Sequence, residues 1–333
     1  MRLKFTVVAA SSLFILWAGV SLGTTHIPFG DTLRALLERI FGLPLETEGR
    51  IITIVWQLRF PRALLAFMIG GALAASGTVF QSVLKNPLAS PFILGVSSGA
   101  SLGAGLVILT GFAIPFIAFF TLPLVGFVFG IGTVFIVIWC SSRLDKSMSN
   151  NTVILFGLVF SLFINAILTT LVALYREELR NLLHWQMGSF SMRGWEYSAL
   201  MLPFLVVGLI VIFRYTREMD ILSFGEEEAQ SLGVDSVKVR RILLSCSAAL
   251  TGAAVALCGA IGFVDLIAPH LARKITGPRH CYVLPMAFLL GGSLLVVADL
   301  IARTIVSPSE LPVGAVTALV GAPFFAWIYF KKR

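Results

Sequence analysis

From one end of the chain to the other, apolar stretches about twenty residues long alternate with short polar breaks. A helix that crosses hydrocarbon needs about 20 mostly apolar residues, because lipid offers no partner for open backbone N–H and C=O groups. Runs of this kind predict ten membrane-spanning helices, at 5–22, 54–84, 92–113, 116–140, 153–175, 199–213, 242–260, 261–275, 283–305 and 313–330. The sixth is short unless 195–198 join it. The region 242–275 reads either as one bent element or as two short spans. The first run follows Arg2 and Lys4 in the manner of a signal peptide, yet no A-x-A site follows it, so it reads as a retained span. The fold class expected is all-α, with the whole of 1–333 forming one transmembrane domain.

Composition agrees with that reading: 57% of residues are apolar, 13% are charged, and mean hydropathy is +0.93. Ten spans place both termini on one side. That side collects sixteen of the 25 lysines and arginines, Lys146, Lys332 and Arg333 among them. By the positive-inside rule it is the cytoplasmic side of a multi-pass membrane protein. The net charge of +8 is then a topology signal bearing on membrane lipid, with no implication of nucleic-acid binding.

Small residues recur at helical spacing in two places, Gly95, Gly99 and Gly103 in one, and Gly70, Gly71, Ala74 and Gly77 in the other. Such stripes let helix backbones approach closely in lipid. The four cysteines and four histidines show no metal-ligand spacing, and no metal site is expected. "GVSSG" at 95–99 matches the hydrolase elbow G-x-S-x-G, but the elbow requires a strand before its serine. An intramembrane serine hydrolase using Ser97 and His270 stays as an alternative of a different class.

Arg59 and Arg62 stand at the rim of the second span and fall on the outer side. Three apart, they share a helical face. They either snorkel to lipid phosphates or pair with Glu46 or Glu48, or else form a docking site for an acidic partner. Arg303 lies near the outer end of the ninth span, with Asp299 one turn away as an ion-pair partner. On the other side, 222–241 forms the longest turn. Ser223 is positioned to cap a helix opened by Glu226, Glu227 and Glu228, Gly233 to end it, and Asp235 to cap a second. Ala229, Leu232, Val234, Val237 and Val239 would make an apolar surface. The pair either lies on the membrane or is a knob for a cytosolic protein. No G-x-x-x-x-G-K-[ST] occurs, so the chain has no P-loop of its own, and any ATP engine belongs to another polypeptide.

The stretch "WQLRFPRALLAFMIGGALAASGTVFQSVLKNPLASPFILGVSSGASLGA" resembles the signature of permease subunits of iron-chelate and vitamin B12 ABC importers, the FecCD family. So do "LLHWQMGSF", "LSFGEEEAQSLGV", "GAIGFVDLIAPHLARKITGPRH", "ADLIAR" and "ELPVGAVTALVGAPFF", in that order from about residue 55 to the end. The resemblance implies a ten-helix, non-enzymatic permease that pairs with a second permease subunit, often an identical copy. Two cytoplasmic ABC ATPase subunits, carrying ATP and Mg, would dock below, and an extracytoplasmic binding protein would deliver cargo from above; this chain would bind no cofactor. Arg59, Arg62 and Arg303 align with arginines that meet glutamates of the binding protein. Glu226, Glu227, Glu228, Ala229, Leu232 and Gly233 align with the ATPase coupling helix. Asn86 and Leu88 align with one cytoplasmic gate, Asn150 and Asn151 with the other, and spans 153–175 and 313–330 with the pathway lining.

One position departs from the family's pattern. Asp265 stands where a small residue is usual, and a carboxylate at membrane depth is a functional candidate. It would contact substrate, pair with a neighbour, or carry protons in an ion-coupled secondary transporter, which is the alternative mechanism. The cargo expected from the resemblance is a ferric siderophore, haem or cobalamin, the first being the commonest.

Overall fold

The computed structural model describes residues 2–145 and 148–331, so Lys146, Lys332 and Arg333 of the charge count lie outside the described residues. All regular structure there is helical. The chain begins with α1 (Arg2–Ser21), an amphipathic α2 (Phe29–Phe41) and a short α3 (Gly49–Thr53), which runs through one π-helical stretch, Ile54–Arg59, into α4 (Phe60–Val83). There follow α5 (Val96–Thr110), α6 (Ala118–Leu144), α7 (Asn150–Leu174), α8 (Leu179–Gln186), α9 (Trp195–Arg214), α10 (Thr216–Leu222) and α11 (Glu226–Ser231). The chain closes with α12 (Ser236–Cys258), α13 (Val264–Thr276), α14 (His280–Thr304) and α15 (Val313–Lys331).

Seven helical segments are long and apolar enough to cross a membrane: α1, the α3–α4 rod, α6, α7, α9, α12 and α14. Two shorter apolar helices, α5 and α15, join them, and the short amphipathic α13 stands where another span was expected, so the described residues are roughly consistent with the expected ten. Trp195–Ser198 do join α9. The 242–275 region is two elements, because Gly259 takes φ +77° and Phe263 takes φ +69°, and a helix cannot propagate through either. The run at 92–113 is likewise interrupted. Pro91 opens a single 3₁₀ turn over Pro91–Leu94, and Gly95 at φ +81° resets the backbone before α5 begins.

α4 is the central post. Nearly all its residues are buried, and it packs on α9, α12, α13 and α14. The small-residue stripes explain how. A Cβ on Gly70 would overlap the carbonyl of Gly291, and one on Gly103 would sit 2.7 Å from the carbonyl of Val125, so α4 meets α14 and α5 meets α6 backbone to backbone. Pro61 lacks an N–H to give the helix. The carbonyl of Trp56, one π-turn earlier, accepts instead from the Trp195 indole at 2.9 Å, which pins α9 to α4.

By contrast α7 and α15 are sparsely covered. Leu155, Leu158, Leu162 and Phe163 on α7, and Leu319 and Trp327 on α15, are all more than half exposed. These are the two spans expected to line a pathway.

Candidate functional site

The three arginines singled out from sequence converge on one pocket of about 530 Å³, lined also by Arg193, Glu196 and Glu310. Arg59 is only 6% exposed, and its guanidinium donates to the carbonyls of Ser21 (2.6 Å) and Thr25. Gly23 leaves the room for this, since a Cβ there would lie 2.7 Å from the guanidinium. Arg62 makes a double fork. It donates to both oxygens of Asp299 on α14 (2.8 to 3.1 Å) and to both oxygens of Glu310 in the α14–α15 connection (2.8 and 2.9 Å). Arg303 is 5% exposed, donates to the carbonyl of Gly19, and has Asp299 within 3.7 Å along its own helix.

The pairing with Glu46 or Glu48 is therefore not what forms. Arg62's countercharges belong to α14 and to the loop beyond it, on this chain. Among the described residues Arg59 has no carboxylate within bonding range, so three guanidinium groups share one buried Asp and one exposed Glu. Glu310, which sequence reasoning passed over although it begins "ELPVG", feels burial, which would raise its pKa. The Arg62 hydrogen bond and charge outweigh that and hold it below the usual carboxylate range.

α4 carries this cluster at its start and the candidate gate loop at its end. Its 24 residues, at 1.5 Å each, separate the two by about 36 Å. In that loop the Asn86 side chain accepts from the Leu88 N–H at 2.9 Å, an Asx turn that leaves Leu88 52% exposed. The Asn150 amide donates to the Leu84 carbonyl at 2.9 Å, so both expected gate segments meet, while Asn151 points outward.

At the same end, the turn at 222–241 folds differently from its expectation. Ser223 terminates α10, its hydroxyl bonding the Asp220 carbonyl, and Gly225 precedes α11 in place of the expected serine cap. Thr216–Leu222 is itself helical, so Ser223 falls at a helix end and not at a start. Gly233 does turn the chain, at φ +79°, and Asp235 does cap a helix, accepting from the Lys238 N–H. That helix is α12, which runs on as a full span and is not a second short helix. Ala229 and Val239 are buried, so the expected apolar surface faces mostly inward, with Leu232 left 66% exposed beside Glu227 and Glu228. Glu226 is held by Arg240 at 2.5 Å, and Arg240 also donates to the Met148 carbonyl.

Asp265 lies in the first turn of α13 and is 1% exposed. Its carboxylate accepts from the Ser90 hydroxyl, and its carbonyl accepts from the Gln81 amide at 3.2 Å. Neither partner had been singled out from sequence. The hydrolase elbow is not formed: a 3₁₀ turn and Gly95 precede Ser97, and no strand occurs among the described residues. No cluster of three or more His, Cys, Asp or Glu suited to a metal occurs among them either.

A bundle of about ten apolar helices, polar networks at both ends and a central glycine-packed post define a polytopic membrane permease. The chain belongs to the FecCD transport family, whose model matches residues 11–331. It is 41% identical over 316 residues to an ABC transporter permease protein of Bacillus subtilis, YvrB, covering 95% of this chain and 90% of that one. It is 39% identical to the haemin transport system permease protein HmuU of Yersinia pestis, over 84% of each chain. Its fold also matches a solved metal-chelate type ABC transporter in an inward-facing conformation, with a TM-score of 0.86, 28% identity and 99% of both chains covered.

Proposed function

We propose that this chain is the membrane-spanning subunit of an ATP-driven importer for an iron chelate, haem or cobalamin, and that it forms the pathway by alternating access. A second permease copy would complete that pathway. The observation that carries the reading is α11. A short helix is clamped at its base by Glu226–Arg240 and by buried Ala229, and it presents Glu227, Glu228 and Leu232 outward. A clamp of this kind makes a rigid knob, suited to receive a push from a separate motor and pass it directly into α12. In this reading α11 and both termini face the cytoplasm, two ABC ATPase subunits hydrolyse ATP there, and the switch is a rigid-body tilt of helices. The match to a transporter caught facing inward supports such a switch.

The arginine pocket at the opposite end is the proposed dock for an extracytoplasmic binding protein, because its positive charge exceeds its own carboxylates. Complementary charge of this kind sets register and encounter rate more than affinity. Arg62 is the cleaner probe of docking. Arg59→Glu would set a carboxylate against backbone carbonyls and disturb the fold itself. The cargo proposed first is a ferric siderophore, with a relative named for haemin transport and a solved neighbour assigned to the metal-chelate type in support.

Leu232→Cys, co-expressed with an ABC ATPase subunit bearing a single cysteine in its cleft, tests the reading. Oxidative cross-linking that shifts with ATP is expected. Absence of any cross-link from Leu232→Cys, with an equivalent yield from a cysteine beside Arg62, would overturn it.

A further inference from the structure

Among the described residues Asp265 is the one buried carboxylate that neither the dock nor the knob uses, and it touches more than its own helix. Its carboxylate receives the Ser90 hydroxyl. Ser90 ends the candidate gate loop and at the same time caps the next 3₁₀ turn, accepting from the Phe92 N–H at 3.3 Å. The carbonyl of Asp265 takes the Gln81 amide of α4, whose oxygen in turn accepts from Arg273 on α13 at 2.5 Å. At Gly77 the α4 backbone comes so close to the Asp265 carbonyl that a Cβ there would overlap it. The gate loop, α4 and α13 thus meet at one residue, and the loop joins α13 there through the Ser90 side chain.

We infer that Asp265 is a positioning residue that ties the end of the gate loop to the first turn of α13, so that the loop travels with that helix. The physical case is direct. A buried carboxylate needs donors and Ser90 supplies the one that comes from the loop; loss of Asp265 leaves the Ser90 hydroxyl proton without its acceptor, and loss of Ser90 leaves the carboxylate without its donor from the loop. A hydrogen bond in a dry site is a strong tie for a loop, because its partners find no water when it breaks. The inference takes the gate from the function proposed above, but the tie itself is tested without it.

Ala89, next to Ser90, is fully buried and serves as the reporter. Ala89→Cys in a background lacking Cys140, Cys246, Cys258 and Cys281 is labelled with fluorescein maleimide in proteoliposomes. Asp265→Ala is expected to raise the labelling rate about tenfold or more. Ser90→Ala should do the same, and the pair together no more than either alone. Asp265→Asn keeps an acceptor oxygen and should retain most of the protection. Labelling at Ala35→Cys, buried on α2 near the other end of the bundle, should not change. An unchanged rate at Ala89→Cys in Asp265→Ala, additive effects of the two substitutions, or an equal rise at Ala35→Cys would each overturn the inference. A rise confined to Ala89→Cys, with unaltered ATP consumed per iron imported by the assembled complex, would uphold the tie and reject the loop's role as a gate.

Discussion

Replacing Asp299 by Ala removes the carboxylate that partly buried Arg62 and buried Arg303 share. Arg62 loses both forked bonds to α14, and Arg303 loses the one carboxylate within 4 Å of it among the described residues. Asp299 itself is 1% exposed, so its charge is compensated by these arginines. Breaking a buried pair from one side costs about 3–5 kcal/mol, because a charge is left uncompensated. Glu310 still holds Arg62, and Gly19 still accepts from Arg303, which places the loss near the low end, at about 3 kcal/mol. At about 2 °C per kcal/mol for a protein of this size, the melting temperature in detergent should fall by about 6 °C. A thiol-reactive dye follows this through Cys258, 1% exposed in the folded chain, in a background where exposed Cys281 is Ser. Arg62→Gln combined with Asp299→Ala should cost less than the two changes summed, since they break one interaction. A shift under about 2 °C for Asp299→Ala, or simple additivity, would refute the claim that the cluster is held by its own carboxylates.

Three further outcomes follow from the same geometry. Gly77→Ala forces a methyl into the Asp265 backbone, which cannot yield, and should destabilise by about 1–3 kcal/mol; Gly132→Ala, with open space around it, should leave the melting temperature unchanged or slightly higher. Arg240→Ala frees Glu226 and the Met148 carbonyl, so amide exchange across Glu226–Ser231 should quicken about tenfold while α4 exchange stays slow. Because the folded-state pKa of Glu310 is depressed, its tie to Arg62 is fully present above the ordinary carboxylate value and is lost only as pH falls through the lowered one. Protection of the Leu311 and Val313 amides, which bond Ala302 and Gly188, should therefore stay constant from about pH 8 to pH 5 and decline only in stronger acid. A decline near neutrality would contradict this.

The spans were legible because hydrocarbon admits few alternatives: a long apolar run that must satisfy its own backbone becomes a helix. The glycine stripes were legible for a similar reason, and Gly70 and Gly103 sit at the backbone contacts their spacing implied. The partners of the arginines were not. Residues 62, 299 and 310 are brought together only by the antiparallel packing of α4 against α14, and no local periodicity encodes that register. The 222–241 turn was misread at its start for a local reason. Ser223 is as good a helix stop as a cap, and the choice fell to α10, whose helix reaches it first. Asp265 stood out as a lone intramembrane acid, but its partner Ser90 lies 175 positions away in sequence. In each case the residue type was readable and the contact was not.

The central claim is that this conduit carries no engine and takes its motion from a motor docked on α11. Uptake of a ⁵⁵Fe-labelled hydroxamate siderophore into proteoliposomes, in the presence of its binding protein, addresses that claim most directly. The account expects accumulation only when an ABC ATPase subunit and ATP are both present, unaffected by collapsing the proton gradient. Accumulation by the permease alone, or accumulation that follows the proton gradient without ATP, would contradict it.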